Sequence, residues 1–207
     1  MQPVERLRFR FAEEEDAAAI QTIYAPYCES SVVSFETKAP SVEEIGQRIR
    51  KISEQFPWIV GEVDRRVLGY AYGSRHSERA AYQWSVDATI YVSKESQRSG
   101  LGRGLYTSLF RILRLQGYCK VCGGITLPNA ASVGLHEALG FKPVGTYRGI
   151  GYKLGRWHDV GWWQLSLQPE SDEPPAPRSI QEIRHSQAVQ EAFVAGELLV
   201  KSGAKNL

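Results

Sequence analysis

The run Gln97-Arg98-Ser99-Gly100-Leu101-Gly102-Arg103-Gly104 places three glycines and two arginines ahead of leucines spaced four apart, Leu101, Leu105, Leu109 and Leu113. A glycine turn before a helix leaves backbone N–H groups free at the positive end of the helix dipole, where a phosphate can bind. The same arrangement also serves as a plain loop and cap. No Lys-Ser/Thr pair follows the turn, which excludes a P-loop, and the glycine spacing is wrong for the dinucleotide fingerprint. Cys119 and Cys122 form a Cys-x-x-Cys without a second pair, and the histidines at 76, 136, 158 and 185 have no ligand spacing. A structural role is expected for both thiols, and no metal.

The elements that must position these groups follow from hydrophobic period. Leu7 to Phe11 alternates apolar and basic residues as a half-buried strand does. Asp16 to Tyr24 changes to helical spacing, and Ser41-Val42-Glu43-Glu44 is a capping box opening a second helix toward Gln55. Trp58 to Val63 and Val67 to Tyr72, joined by Asp64-Arg65-Arg66, read as a hairpin, and Tyr82 to Val92 as a central strand. The glycine turn then opens a helix ending near Gly117. Val121 to Leu127 is a strand, Ser132 to Leu139 a helix closed by Gly140, and Trp162 to Leu167 a final strand. The predicted order is β-α-α-β-β-β-α-β-α-β.

The length of 207 residues suits one domain with its own core. The net charge of +2 makes no electrostatic case for nucleic acid or anionic membrane. Residues 169–207 contribute −2 and the first 168 contribute +4, an excess suited to a small anionic ligand. No apolar run approaches the roughly 20 residues of a spanning helix, the first ten residues lack a signal h-region, and three cysteines are too few for a secreted framework. A cytoplasmic location is expected. Pro169 to Ser179 reads as an extended acidic linker, and Ile180 to Val200 as a possible helix using Ile183, Val194 and Leu198, with a loosely docked tail as the plain reading.

Gln97-Arg98-Ser99-Gly100-Leu101-Gly102 matches the Gln/Arg-x-x-Gly-x-Gly/Ala signature of the GNAT superfamily of acyl-CoA-dependent N-acetyltransferases. The runs PWIVGEVD (57–64), DATIYVSKESQRSGLGRGLYTSL (87–109), PNAASVGLHEALGF (128–141) and GYKLGRWHDVGWWQ (151–164) resemble its phosphinothricin and methionine-sulfoximine acetyltransferase branch. The resemblance spans about residues 7–168 and leaves the tail outside. It implies an α/β (α+β) fold whose central mixed, largely antiparallel sheet splays at an acetyl-CoA site. A GNAT domain over 1–168, a linker with a possible helix over 169–207, and a homodimer are then expected.

By the same resemblance, the acetyl-CoA pyrophosphate lies on Gln97, Arg98, Ser99, Gly100, Leu101 and Gly102, with Arg103 as added charge. The pantetheine arm runs beside Ile90, Tyr91 and Val92, and Asn129 bonds the cofactor or simply caps a helix. Asp87 stands where the branch carries glutamate and acts as the base, its shorter reach favouring a water relay. His136 protonates the departing thiolate or takes a proton from the amine. Arg79, with Arg75 in the same loop, pairs an acceptor carboxylate, and Phe35 and Tyr82 form aromatic walls. The branch usually has tryptophan where His76 stands.

The expected activity is direct acetylation of the amino group of a small amino acid or analogue. Another small amine, a protein N-terminus, or a non-catalytic acyl-CoA sensor are the alternatives, and a pure binder needs neither Asp87 nor His136.

Overall fold

A computed structural model describes residues 7–201. The chain begins with β1 (Arg8–Phe11) and a short 3-10 turn. Helices α1 (Ala17–Glu29) and α2 (Val42–Ile52), strands β2 (Trp58–Val63), β3 (Arg66–Arg75) and β4 (Ser85–Val92), and helix α3 (Leu101–Gln116) follow. Next come β5 (Lys120–Leu127), α4 (Ala130–Ala138), β6 (Lys142–Lys153), β7 (Arg156–Ser166), α5 (Ile180–Ile183) and α6 (Gln187–Glu197). The strands form one sheet in the order β1-β2-β3-β4-β5-β7-β6, antiparallel except between β4 and β5.

Local sequence explains most boundaries. The Ser41 hydroxyl accepts from the Glu44 N–H at 3.2 Å, and the Glu44 carboxylate accepts from the Ser41 N–H at 2.7 Å, closing the expected capping box. The β2–β3 turn puts Asp64 and Arg65 at φ 49° and 67°, the paired positive values that match a two-residue loop to the sheet's twist. Alternation along β2 divides the core. Trp58 and Val60 join Ile20, Ile23, Tyr24, Ile45 and Ile49 under α1 and α2, while Ile59 faces α3, where Leu101, Leu105, Leu109 and Leu113 are all buried. No helix among the described residues is long and apolar enough to cross a membrane.

Two expectations are corrected. The sequence order has a single strand after α4, whereas the structure has two. Strand β6 contains Pro143, Gly145, Gly149 and Gly151, is bulged twice and lies exposed at the sheet edge, so it carries neither strand composition nor an in-out alternation. The tail also differs from a loose appendage. The Trp84 indole N–H donates to the Pro175 carbonyl at 2.8 Å, and the Arg178 N–H donates to the Gln116 carbonyl at 2.8 Å. Ile180, Ile183, Val189, Ala192, Phe193 and Val200 belong to the α3 core. The helix restarts at Ser186, whose hydroxyl accepts from the Val189 N–H, and this break shifts the buried face. Val194 and Leu198, expected as contacts, are 50% and 79% exposed.

Helices α3 and α6 meet through small residues. The Ser108 hydroxyl donates to the Ala192 carbonyl at 2.9 Å, and a Cβ on Gly104 would lie 2.6 Å from the Gly196 carbonyl oxygen. Gly196→Val is therefore expected to cost about 1–3 kcal/mol in chemical denaturation, the usual range for overpacking. An unchanged midpoint would show that α6 docks without this close approach.

Candidate active site

Parallel pairing of β4 with β5 covers only Ser85 with Lys120, Val86 with Val121, and Asp87 with Cys122. Beyond that point β4 stays with β3 to Val92, and β5 stays with β7 to Leu127, so the strands part. The gap is a cleft of about 100 Å³ lined by Ala88, Thr89, Tyr106, Gly124, Thr126 and His136 among others. It shares Ile90, Tyr91, Asn129 and Ser132 with a groove of about 530 Å³ that runs to the N-terminus of α3.

Nine residues expected at the cofactor line that groove: Ile90, Tyr91, Val92, Gln97, Arg98, Gly100, Gly102, Arg103 and Asn129. Leu101 is instead buried beneath it in the α3 core. The Ser99 hydroxyl is spent locally, donating to the Ser96 carbonyl at 2.6 Å and accepting from the Leu101 N–H at 3.2 Å. The first α3 backbone bond runs from the Gly104 N–H to the Gly100 carbonyl, leaving the N–H groups of Gly102 and Arg103 without an acceptor among the described residues. These are the donors an anion would use, and the arginines add charge.

The three glycines divide their work. A Cβ on Gly102 would point at Ile90 and Leu135 in the groove wall. Gly100, at φ 90°, backs onto the Leu199 carbonyl, and Gly104 onto α6. Of the three, only Gly102 turns its missing side chain toward the groove. Asn129 caps α4, its Oδ1 accepting from the Ser132 N–H at 3.1 Å, and the residue also lines the groove. Tyr27, on α1, also lines the groove. Its hydroxyl donates to the Val92 carbonyl at 2.7 Å and accepts from the Gln97 side chain at 3.2 Å.

His136 is 3% exposed, with Nδ1 2.8 Å from the Ser132 carbonyl oxygen. A carbonyl only accepts, so this bond places the ring proton on Nδ1 and the lone pair on Nε2, 3.4 Å from the Tyr106 hydroxyl. Burial lowers the His136 pKa against the smaller opposing effect of the Ser132 bond, and favours this neutral tautomer. On the opposite face, Asp87 Oδ1 lies 2.7 Å from His76 Nδ1. Burial raises the Asp87 pKa, and the His76 contact offsets part of that rise.

The expected acceptor residues do not converge. The Tyr82 and His76 rings are 5.8 Å apart, and Phe35 packs on Gly151 near His158. Arg75 and Arg79, with Tyr82, border a separate hollow of about 210 Å³ walled also by Gln55, Tyr118 and Pro177. The loop carrying Phe35 is held from beneath by buried Lys153, whose ammonium donates to the Cys28, Ser34 and Glu36 carbonyls. No local motif marks Tyr106 or Lys153, and neither the Cys-x-x-Cys nor the position of His76 in its loop reveals that Cys122 and His76 meet at Asp87.

A sheet splayed over a groove that ends at a glycine turn is the architecture of acyl-CoA-dependent acetyltransferases. Residues 9–162 match the acetyltransferase (GNAT) domain, and the chain belongs to the GNAT acetyltransferase family. Phosphinothricin N-acetyltransferase of Streptomyces viridochromogenes is 43% identical over 178 residues, covering 86% of this chain and 96% of that protein. The L-methionine sulfoximine/L-methionine sulfone acetyltransferase of Salmonella typhimurium is 32% identical, covering 83% and 98%. A phosphinothricin acetyltransferase from Sinorhizobium meliloti, solved in complex with acetyl-CoA, superposes with a TM-score of 0.78 at 31% identity, covering 82% and 93%.

Since the free N–H groups sit on the backbone, Gly102→Val is expected to raise KM for acetyl-CoA well beyond the effect of Arg98→Ala, with acceptor KM little changed. Equal effects in initial-rate kinetics would assign recognition to side-chain charge.

Proposed function

We propose that this N-acetyltransferase acetylates the α-amino group of a small amino acid or analogue of the phosphinothricin and methionine-sulfoximine kind, directly from acetyl-CoA in a ternary complex. The observation that carries the reading is the cleft at the β4–β5 parting, with Asp87 at its start, His136 in its wall and the groove leading into it. The relatives' names supply the acceptor class. Acetyl-CoA supplies the thioester carbonyl, and its binding is assigned to the free N–H groups of Gly102 and Arg103, with Arg98, Arg103 and Asn129 beside them.

An ammonium has no lone pair, so the acceptor must first lose a proton. Asp87 receives it, and the adjoining His76 extends its reach on the acceptor side. Attack of the free amine leaves a second proton on nitrogen. His136 suits that proton better than a direct donor role, because its resting Nε2 holds a lone pair. The imidazolium so formed then returns the proton to the departing thiolate. One proton leaves by Asp87 and one ends on sulfur, which balances the transfer. Tyr82, its ring 5.8 Å from that of His76, fits as an acceptor wall, whereas Phe35, packed on Gly151, does not converge with it.

A second copy of the chain fits the β6–β7 hairpin. Val144, Tyr147, Ile150, Tyr152, Leu154 and Trp157 are each at least 58% exposed, and the outer edge of β6 is unpaired within the described residues. An apolar edge of this kind is covered in a stable protein. The chain is expected to sediment as a dimer, and an Ile150→Asp, Trp157→Asp variant as a monomer. A monomeric parent would overturn this assignment.

The chemical step is tested by pH. A raised Asp87 pKa means that the carboxylate is lost earlier on acidification, so the acidic limb of kcat/KM should lie above the ordinary aspartate value of about 3.9. Asp87→Asn should abolish that limb and lower the rate by about 10²- to 10⁴-fold. A limb that survives in Asp87→Asn would remove Asp87 as the base.

A further inference from the structure

Asp87 and His76 have a third neighbour that the acetyl transfer does not use. Cys122 sits directly across from Asp87 in the last parallel pair, so the two side chains lie on the same face, and His76 follows β3 on the other side of β4. One donor atom from each, the His76 nitrogen, an Asp87 oxygen and the Cys122 sulfur, fall within 4.8 Å of one another. The Cys122 thiol is buried and free, and among the described residues its one hydrogen-bond contact is a 4.0 Å approach from the Gln164 side chain. Side chains on two paired strands and on the bend that directly follows their neighbour β3 need little reorganisation to converge on one ion.

We propose that His76, Asp87 and Cys122 form a binding site for a thiophilic divalent cation of the zinc type, and that its occupation inhibits the enzyme. Nitrogen, carboxylate oxygen and thiolate are the borderline-soft set that zinc prefers, at about 2.0–2.3 Å, and three protein ligands leave a fourth vertex for water. On binding, the Cys122 S–H bond breaks, its proton passes to solvent, and the sulfur pair forms the metal bond. No oxidation is involved. The ion takes up the Asp87 lone pair and the His76 nitrogen, so the acceptor's proton has no base to go to. The site rests on donor geometry alone, whereas the inhibition rests on the reading of Asp87 as base.

The two parts separate in one experiment on full-length, untagged protein kept reduced with a non-chelating phosphine. Cobalt(II) is titrated as the spectroscopic probe, and acetylated product is counted by mass spectrometry in the presence of zinc. The parent protein should develop a thiolate-to-cobalt charge-transfer band saturating at one equivalent, and Cys122→Ser should lack it. Cys122→Ser should keep the metal-free rate and its circular dichroism, yet need more than about tenfold more zinc for half inhibition, since even outer-shell changes cost metal sites 10- to 100-fold. A Cys119→Ser variant should behave as the parent. Absence of the band in the parent, or a Cys122→Ser variant that binds cobalt and responds to zinc as the parent does, would overturn the site. A Cys122-dependent band with undiminished turnover would uphold the site and strike out Asp87 as the base.

Discussion

The parting of β4 from β5 after three residue pairs is the constraint on which the rest of the molecule depends. Each strand keeps a partner on its far side, β3 for β4 and β7 for β5, so neither loses its place in the sheet. The unpaired inner edges create the cleft, and their exposed N–H and C=O groups are what an extended ligand arm can pair with. Tight packing limits how far the gap can open or close. Tyr106 and His136 stand behind it, and the Tyr24, Tyr27, Tyr70 and Tyr91 rings pack in front within 4.7–5.6 Å of one another's centroids along the contacts to Tyr91.

Helix α3 connects that gap to the remainder of the fold. Its leucine stripe fills the core below the sheet, its N-terminus ends the groove, and its small residues accept α6. The tail therefore touches the binding turn from behind: the Lys201 N–H donates to the Ser99 carbonyl at 2.9 Å, and the Leu199 carbonyl lies against Gly100. The Phe9 N–H, at the other end of the described chain, donates to the Glu197 carboxylate at 2.7 Å. A segment that looks like an appendage in sequence thus ties the first strand, the glycine turn and the core helix together.

Proton placement follows from burial on each face. His136 is shut in and held as neutral imidazole by the Ser132 carbonyl, while Asp87 is desolvated but kept within reach of ionisation by His76. In the proposed reaction, the contrast between a lone pair on Nε2 and a carboxylate beside a second imidazole sets the direction of proton flow.

Much of this was legible in the chain itself, because local chemistry decides it. The capping box at Ser41, the leucine stripe of α3 and the glycine turn at 100–104 follow from period, caps and backbone freedom, which act over a few residues, while most of the groove lining followed from the family resemblance. Strand β6 was hidden because a glycine-rich, exposed edge strand has no buried face to impose alternation. The docking of the tail was hidden because the break at Ser186 resets the helical phase, and because Gly104 and Gly196 reveal their purpose only when the two helices touch. Likewise, nothing near His76, Asp87 or Cys122 in sequence joins them. Their meeting depends on the register of three strands, a long-range quantity set by how the whole sheet pairs. Sequence by itself determined most of the elements, the family and the glycine turn; only tertiary structure decided which side chains share a face, since strand pairing brings together residues that local propensities never relate.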